Sequence, residues 1–265
     1  MRRLTLFAKG NNDVRDSLHS MRIAGEVRWN GINEVVRARF PGTSVRVRHE
    51  VWTRSDALLE AGACPPAGLE AWPLPVAPHT PAAQFSTALF ATDADAIVLS
   101  IQPDLVTQLL RHGSDGYLFY PHNWSAWPEA DRQRLRAQFV PAAPLDVAGS
   151  MDNFARIIAR IRARSAAPIL VYNLSAVVPG DTVHCHEGLG EILSTRIRRF
   201  NLALAELSAQ TGISVIDVDA ILARAGAERL KLDALHLTPD GCRLVAGEVV
   251  RVLADLGCLS PATAQ

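Results

Sequence analysis

The sequence of 265 residues lacks a long apolar run and a net charge. No stretch approaches the roughly 20 apolar residues of a membrane span, and the first apolar run stops at Lys9, short of the roughly 7–15 residues that a secretion signal needs. The 27 basic and 27 acidic residues cancel, so no overall field attracts nucleic acid or an anionic membrane. We therefore expect a cytoplasmic protein whose partner is a small-molecule substrate, with no role for nucleic acid or membrane.

Cysteine is scarce as well. Cys64, Cys185, Cys242 and Cys258 are widely spaced and form no Cys-x-x-Cys pair, which argues against a disulfide scaffold and favours reduced thiols. The run His-Cys-His-Glu at 184–187 contains zinc-binding residue types, but adjacent ligands rarely converge on one ion and no matching pair occurs elsewhere. Neither Gly-x-x-x-x-Gly-Lys nor Gly-x-Gly-x-x-Gly occurs. We expect neither a metal nor a cofactor.

Aromatic residues make up only 6% of the chain, yet five of them lie between Gly116 and Pro128. Two interpretations of this segment stay open. It covers the edge of a sheet as a lid or pocket wall, or it is a satellite hydrophobic cluster that holds a long loop in place. The six prolines between Cys64 and Pro81 predict an irregular surface segment rather than a linker between domains.

Short apolar, β-branched runs alternate with longer helical patterns along the chain. The predicted strands are Leu4–Ala8, Ser44–Arg48, Ala96–Ile101, Pro168–Asn173 and Ser214–Val218. The predicted helices cover residues 31–40, 104–111, 128–139, 150–164, 188–210 and 240–256. This alternation predicts a three-layer α/β/α sandwich with a five-stranded parallel sheet, flavodoxin-like in architecture, as a single domain over residues 1–265.

An acidic residue and a histidine lie three positions apart near the C-terminus, at Asp233 and His236. They follow the last predicted strand and precede Thr238-Pro239-Asp240-Gly241, which is typical of a helix start. Open α/β sheets keep their sites in loops at the carboxyl ends of their strands. The spacing therefore predicts a histidine general base oriented by a carboxylate, with a capping or packed core histidine as the alternative.

Taken together, the parallel strands, the polar turn after the first strand and the Asp-x-x-His before the last helix resemble the SGNH, or GDSL-type, hydrolases. The resemblance spans essentially the whole chain and is firmest over Asp233–Gly241, Ile169–Asn173 and Arg198–Asp219. Members are esterases, lipases, thioesterases and carbohydrate deacetylases that attack an acyl carbonyl with a serine. The resemblance implies that His236 takes the proton from the serine and later delivers it to the leaving group, while Asp233 orients the imidazole.

The nucleophile can be matched in two ways. Matched by contiguity with the first strand, Gly10-Asn11-Asn12 replaces the Gly-Asp-Ser of the family, and an amide at Asn12 is not an acyl-transfer nucleophile. Matched by residue identity, Asp16-Ser17-Leu18 supplies the Asp-Ser-Leu of the motif. We favour Ser17 as the nucleophile, because the acid-base pair would otherwise have nothing to activate. The competing interpretation of Asp16-Ser17 is a helix N-cap.

The oxyanion hole also departs from the family pattern. The segment after the second strand, Trp52-Thr53-Arg54, has no glycine, so a backbone N–H of Thr53 or Arg54 is expected to replace the glycine's. Gln102 stands where the family has an asparagine and can donate a similar bond. Oxyanion or substrate-binding roles are predicted for Gly10, Asn11, Asn12, Asp13, Arg54 and Gln102. Lys9 and Arg15 are expected to share this crevice, whose polar residues could alternatively satisfy buried loop backbone.

The resemblance implies a serine hydrolase, an esterase or deacetylase that cleaves an acyl ester on a small polar molecule or sugar, with Ser17, His236 and Asp233 as its catalytic triad. The alternative is a hydrolase-like scaffold with a lost or altered nucleophile. Such a scaffold would bind a ligand or partner, or would run a non-hydrolytic reaction such as acyl transfer or elimination in specialised metabolism.

Overall fold

The computed structural model describes residues 2–177 and 191–260. The β-strands in these ranges, numbered in chain order, are β1 Arg2–Lys9, β2 Ser20–Ile23, β3 Glu26–Asn30, β4 Thr43–Glu50, β5 Ala96–Ser100, β6 Leu110–His112, β7 Leu118–Phe119, β8 Phe139–Pro141, β9 Ile169–Tyr172 and β10 Ser214–Ile216. The α-helices in the same ranges are α1 Asn12–Leu18, α2 Ile32–Arg39, α3 Ser55–Glu60, α4 Ala67–Glu70, α5 Pro81–Gln84, α6 Gln102–Val106, α7 Glu129–Gln138, α8 Val147–Arg162, α9 Leu193–Thr211, α10 Val218–Ala225, α11 Ala227–Leu230 and α12 Pro239–Asp255.

Five strands form one parallel sheet in the order β10-β9-β5-β1-β4. The central strand β5 reads Ala-Ile-Val-Leu-Ser and is buried along its whole length, as expected for a strand that is covered on both faces. All five predicted strands are present, each within two residues of its predicted bounds. Because the strands run in one direction, the turns that follow them meet at one edge of the sheet.

Helices cover both faces of the sheet. Strand β1 shows the two layers, since successive side chains point to opposite faces: Leu6 packs in the cluster with Val36 of α2 and Val249 of α12, whereas Phe7 packs in the cluster with Phe154 of α8 and Phe200 of α9. The predicted α/β/α architecture is confirmed. Within residues 2–177 and 191–260, no helix combines the length and apolar character needed to cross a bilayer.

The ends of two predicted helices differ in the structure. The helix predicted at 104–111 is reduced to α6, which ends at Val106, because Thr107 adopts an extended backbone and the chain then enters a small sheet at Leu110. The start of the helix predicted at 188–210 lies partly outside the described residues, and α9 begins at Leu193. The last helix begins as predicted, with Thr238 Oγ1 accepting a 3.3 Å hydrogen bond from the N–H of Gly241.

Residues 64–87 and 107–142 form a structure that we call the cap. Its strands β7-β6-β8 make an antiparallel sheet, and its short helices surround a hydrophobic cluster of their own. The buried members are Leu69, Trp72, Val76, Phe85, Phe119, Trp127, Leu135 and Phe139. The interpretation of the aromatic segment as a satellite cluster is therefore confirmed.

Candidate active site

The loop 231–237 carries the predicted acid-base pair. Asp233 Oδ2 lies 2.7 Å from His236 Nδ1, and Asp233 Oδ1 accepts 2.8 Å hydrogen bonds from the backbone N–H groups of Leu235 and His236. Although partial burial opposes it, these bonds, with that from the imidazole, lower the pKa of Asp233. The ionised carboxylate fixes the proton of His236 on Nδ1, so the lone pair is on Nε2.

The base of this loop is closed and anchored. Lys231 and Leu237 form an antiparallel bridge, and the N–H of Leu232 donates to the carbonyl of His236 at 2.8 Å. The Lys231 ammonium group is buried and donates to the carbonyls of Ser175 (3.2 Å) and Val177 in the segment after β9. Burial lowers its pKa to about 8. Lys231 is not among the residues predicted from the sequence, where its only signal is a lysine between two leucines.

Asn12 faces the imidazole of His236. Its Nδ2 lies 2.9 Å from His236 Nε2, and since Nε2 has the lone pair, the amide donates and the imidazole accepts. Asn12 is the first residue of α1, directly after the turn that follows β1. The geometry therefore follows the match by contiguity with the strand: Asn12, the residue that this match aligns with the family's serine, faces His236 Nε2.

Ser17, the favoured nucleophile, lies elsewhere. It is five positions beyond Asn12, which is about 140° around an α-helix, and this rotation turns its side chain toward the core. Its hydroxyl is fully buried and is bonded to the carbonyls of Asp13 and Val14 and, at 3.1 Å, to the Tyr172 hydroxyl. The expectation that Ser17 faces His236 is thus corrected, and the N-cap alternative is not met either, because α1 begins at Asn12.

The turn before Asn12 is tight because Gly10 has no side chain. A Cβ at this position would lie 2.5 Å from Val14 Cγ2. The Gly10 carbonyl accepts a 2.9 Å bond from His49 Nε2, and Asn11 Oδ1 accepts a 3.2 Å bond from the N–H of Trp52. Gly10 and the Asn11 side chain oxygen therefore hold the turn against the segment that follows β4.

Gln102 and Asp13 connect the turn to β5. Gln102 is 4% exposed and its backbone N–H donates to Ser100 Oγ at 3.0 Å, while the same Ser100 hydroxyl donates to Asp13 Oδ2. The Asp13 carboxyl group is buried, and this burial raises its pKa. Gln102 remains available to a substrate, whereas the Asp13 carboxylate serves as an internal anchor rather than the predicted binding group.

Two further cations of the predicted crevice are committed to internal ion pairs. Arg54 is 2% exposed; it makes bidentate bonds to Asp56 at 2.9 and 2.6 Å and donates to the carbonyl of Ala143 at 3.0 Å. Lys9 Nζ lies 2.8 Å from Glu50 Oε2, and burial lowers its pKa. The substrate-binding role predicted for the Arg54 side chain is therefore corrected. The backbone N–H of Thr53 or Arg54 as an oxyanion donor stays a prediction.

A cavity of about 450 Å³ lies in front of His236. It is lined by Asn11, Asn12, Arg15, Pro78, His79, Gln102, Val106, Thr107, Tyr120, His122, Leu235 and His236. Three of these side chains are rings from the cap, so the aromatic segment is a pocket wall as well as a cluster. Of the residues predicted to bind the oxyanion or the substrate, Asn11, Asn12 and Gln102 line this cavity.

The wall that the cap supplies is built around these three rings. The His79 ring centroid lies 4.9 Å from that of Tyr120 and 5.1 Å from that of His122. Gln84 holds the two cap segments together by donating to the carbonyls of His79 (2.7 Å) and Tyr120 (3.0 Å). Burial, followed by the neighbouring His122, lowers the pKa of His79 to about 4, so His79 is a neutral imidazole at physiological pH.

The described residues include no group of three or more histidines, cysteines or carboxylates arranged to hold a metal ion. The run at 184–187 and Cys185 lie outside the residues that the structure describes. The other three cysteines are free thiols. The chemistry available in the described cavity is therefore that of an oriented imidazole base, amide donors and the rings of the cap.

Comparisons with known proteins agree with this fold. A lipase/acylhydrolase from Enterococcus faecalis matches at 13% identity, over 100% of both chains, with a TM-score of 0.52. An alpha/beta hydrolase enzyme from the metagenome of Lake Arreo matches at 12% identity, over 97% of this chain and 96% of that one, with a TM-score of 0.53. An acetylxylan esterase from Geobacillus stearothermophilus matches at 11% identity, over 94% and 93%, with a TM-score of 0.52. At such identities these structures show a shared fold.

No curated protein matches the chain. A family model does match, that of the GDSL-like Lipase/Acylhydrolase family, over residues 89–244. This range covers more than half of the chain and includes Gln102, Asp233 and His236, but it begins well after the turn that contains Asn12. The chain belongs to the GDSL-like lipase/acylhydrolase family.

Proposed function

We propose that this protein hydrolyses acyl esters of a small polar molecule or sugar, with His236 and Asp233 as the general base and a water molecule as the nucleophile. The observation that carries the proposal is a chain of two hydrogen bonds, from His236 Nδ1 to Asp233 Oδ2 at 2.7 Å and from Asn12 Nδ2 to His236 Nε2 at 2.9 Å. Because Asp233 holds the proton on Nδ1, the basic lone pair is on Nε2, on the side of the cavity. Since the amide at Asn12 is not a nucleophile, water is the reactant that this base can activate.

In the proposed reaction, water displaces the Asn12 amide from Nε2 and attacks the carbonyl carbon of the ester while His236 accepts its proton. The bond from that carbon to the alcohol oxygen then breaks, and the imidazolium returns the proton to the leaving alkoxide. The products are a carboxylic acid and an alcohol. Releasing Asn12 costs about one hydrogen bond, roughly 0.5–1.5 kcal/mol, and its Nδ2 is then free to donate to the attacking water.

The negative charge that develops on the carbonyl oxygen needs fixed donors. Gln102 supports this role, because it lines the cavity and its backbone is held by Ser100. Its side chain amide would donate to the oxyanion, together with a backbone N–H of Thr53 or Arg54. Removing one such donor typically lowers kcat by about 10²- to 10³-fold, so Gln102→Ala is expected to be one of the more damaging substitutions in the cavity.

The proposal is tested by turnover of short p-nitrophenyl esters by three proteins. His236→Ala should lose about 10²- to 10⁴-fold in kcat, the range for a positioned acid-base group. Ser17→Ala should remain close to wild type, because its hydroxyl is bonded inside the core. Wild-type activity in His236→Ala would overturn the proposal. Loss of activity in Ser17→Ala with an unchanged thermal midpoint would instead restore Ser17 as the nucleophile.

A second candidate function is ligand binding without turnover. The observation that favours it is the same 2.9 Å contact, in which Asn12 occupies the lone pair that catalysis requires. In that case the wild-type protein should bind ester analogues with no product formed and should not react with a fluorophosphonate probe. Product formation that depends on His236 excludes it. If added methanol diverts the acyl group to a methyl ester in proportion to its concentration, an acyltransferase activity of the same base is indicated.

A further inference from the structure

We propose that the substrate carries an oxyanionic group, a carboxylate or phosphate, and that Arg15 binds it inside the cavity in front of His236. The inference depends on the proposed function in one respect: it places the oxyanionic group on the molecule whose ester is cleaved. It concerns specificity, which the acid-base pair alone does not determine. Three observations on the cavity support it.

The first observation is the charge of the lining. Of the twelve residues that line the described cavity, Arg15 is the one with a fixed positive charge, and none is acidic. The other polar members are amides, hydroxyls and imidazoles, which can all donate hydrogen bonds. An oxyanion entering this cavity meets donors and a guanidinium, whereas an ammonium group meets a like charge and no carboxylate.

The second observation is the contrast between Arg15 and Arg54. The guanidinium of Arg54 is buried, and each of its three nitrogens donates a hydrogen bond, two to the oxygens of Asp56 and one to the Ala143 carbonyl. Arg15 contacts a single oxygen of Asp16 from the side, through Nε and Nη2, each at 2.8 Å. Its side chain is 49% exposed, and within the described residues its Nη1 has no hydrogen-bond partner. The open edge is the part of a guanidinium that pairs with carboxylate or phosphate.

The third observation is an imidazole nitrogen without a hydrogen-bond partner in the part of the cavity wall that the cap supplies. His79 is 7% exposed, yet its Nδ1 has no hydrogen-bond partner among the described residues. His49, which is also partly buried, is by contrast committed to the Gly10 carbonyl. Buried polar groups are normally paired within the protein, so His79 adds an unused polar atom to the wall of this cavity, although the atom itself is shielded from solvent.

The test uses aryl acetates of one size that differ only in the para substituent: carboxylate, phosphate, neutral carboxamide and aminomethyl. For the wild-type protein, kcat/KM should be about tenfold or more higher for the carboxylate or the phosphate than for the carboxamide, and lowest for the aminomethyl ester. The substituent with the larger ratio identifies the natural group. The preference should shrink as salt is added, because the Arg15 side chain is half exposed.

Arg15→Gln should reduce the ratio of anionic to neutral substrate to within about twofold, chiefly through KM. Asp16→Asn is the matched control, since it removes the ion pair but leaves the guanidinium, and it should keep or increase the ratio. Loss of the preference in both variants would assign the effect to the ion pair and overturn the proposal. Equal kcat/KM for all four esters in the wild-type protein would also overturn it, while leaving the hydrolase function intact.

A binding measurement separates this inference from the proposed function. Calorimetry on His236→Ala with 4-hydroxybenzoate, 4-hydroxyphenyl phosphate and 4-hydroxybenzamide reports recognition without turnover. Tighter binding of an anion than of the amide, lost in the double variant with Arg15→Gln, supports the anion site even if no ester is hydrolysed. Equal affinities for the three compounds contradict it, whatever the outcome of the kinetic assays.

Discussion

The loop 231–237 and the turn Gly10–Asn12 face each other across one imidazole, and they keep the family pattern to different degrees. The loop retains Asp233 and His236 with the hydrogen bonds of a working base. The turn has the backbone path that its glycine permits but has an amide at the position of the nucleophile. One side of the site therefore keeps the residue types of the family motif, and the other keeps only the glycine of the turn. Substitutions on the two sides should consequently affect different properties.

The largest effect is expected on the loop. Asp233→Asn replaces the carboxylate that holds the proton on Nδ1 and stabilises the imidazolium, so kcat for ester hydrolysis should fall by about 10²- to 10⁴-fold. Folding should change little, because the side chain is 56% exposed. Steady-state kinetics with p-nitrophenyl acetate measure the effect, and Asp240→Asn on the following helix is the control. Equal activities of Asp233→Asn and Asp240→Asn would contradict the assignment.

The second prediction converts the turn to the family pattern. Asn12→Ser places a hydroxyl near His236 Nε2. In the wild-type protein this nitrogen lies 2.9 Å from Asn12 Nδ2. We expect the variant to be labelled by a fluorophosphonate probe at residue 12 and to show a burst of p-nitrophenol, the signs of a covalent acyl-enzyme. Asn12→Ala, which has the same backbone and no nucleophile, should show neither. Labelling of Asn12→Ala at Ser17 would contradict this prediction, because it would show that the buried serine reacts with the probe.

The sequence predicts the fold better than it predicts the site, and the residues show why. Strand β5 is recognisable because its residues Ala96–Leu99 are consecutively apolar, which is typical of a strand buried on both faces. The pair Asp233 and His236 is recognisable because residues three positions apart in a loop can form a hydrogen bond without help from distant parts of the chain. The position of Ser17 depends on where β1 ends and α1 begins, and an error of a few residues rotates a side chain from the cavity to the core. The pairing of Arg54 with Asp56 and the placement of the cap depend on long-range packing, which no local pattern records.

A smaller effect is expected from the backbone of the turn. In Gly10→Ala the new Cβ would lie 2.5 Å from Val14 Cγ2 and 2.9 Å from Val14 Cβ, so α1 has to shift. Overpacking of this kind typically costs about 1–3 kcal/mol, and the shift should also move Asn12 away from His236. Urea denaturation measures the cost, with Gly62→Ala as the control because a Cβ added at Gly62 would have no described atom within 4 Å. Equal losses in the two variants would show that the turn is not tightly packed.

The two lysines of the sequence, Lys9 and Lys231, provide the finest comparison, since each is buried beneath one side of the site. Lys9 has a carboxylate partner in Glu50, whereas the hydrogen bonds of Lys231 within residues 2–177 and 191–260 go to backbone carbonyls. Burial lowers the pKa of Lys231 from its ordinary value of 10.5 to about 8. Between these two values the unfolded chain binds more protons than the folded one, so raising the pH through this window favours the folded state.

Relative to Lys231→Met, the wild-type protein should therefore gain a margin in free energy of unfolding between pH 8 and pH 10, on the order of 1–2 kcal/mol. Urea denaturation at pH 7, 8, 9 and 10 measures this margin. Lys9→Met is the comparison variant: it leaves Glu50 unpaired and should be destabilised already at neutral pH. Parallel pH profiles of the wild-type protein and Lys231→Met would mean that burial does not lower the pKa of the ammonium beneath the loop 231–237. The loop would then be held by its backbone bridge alone.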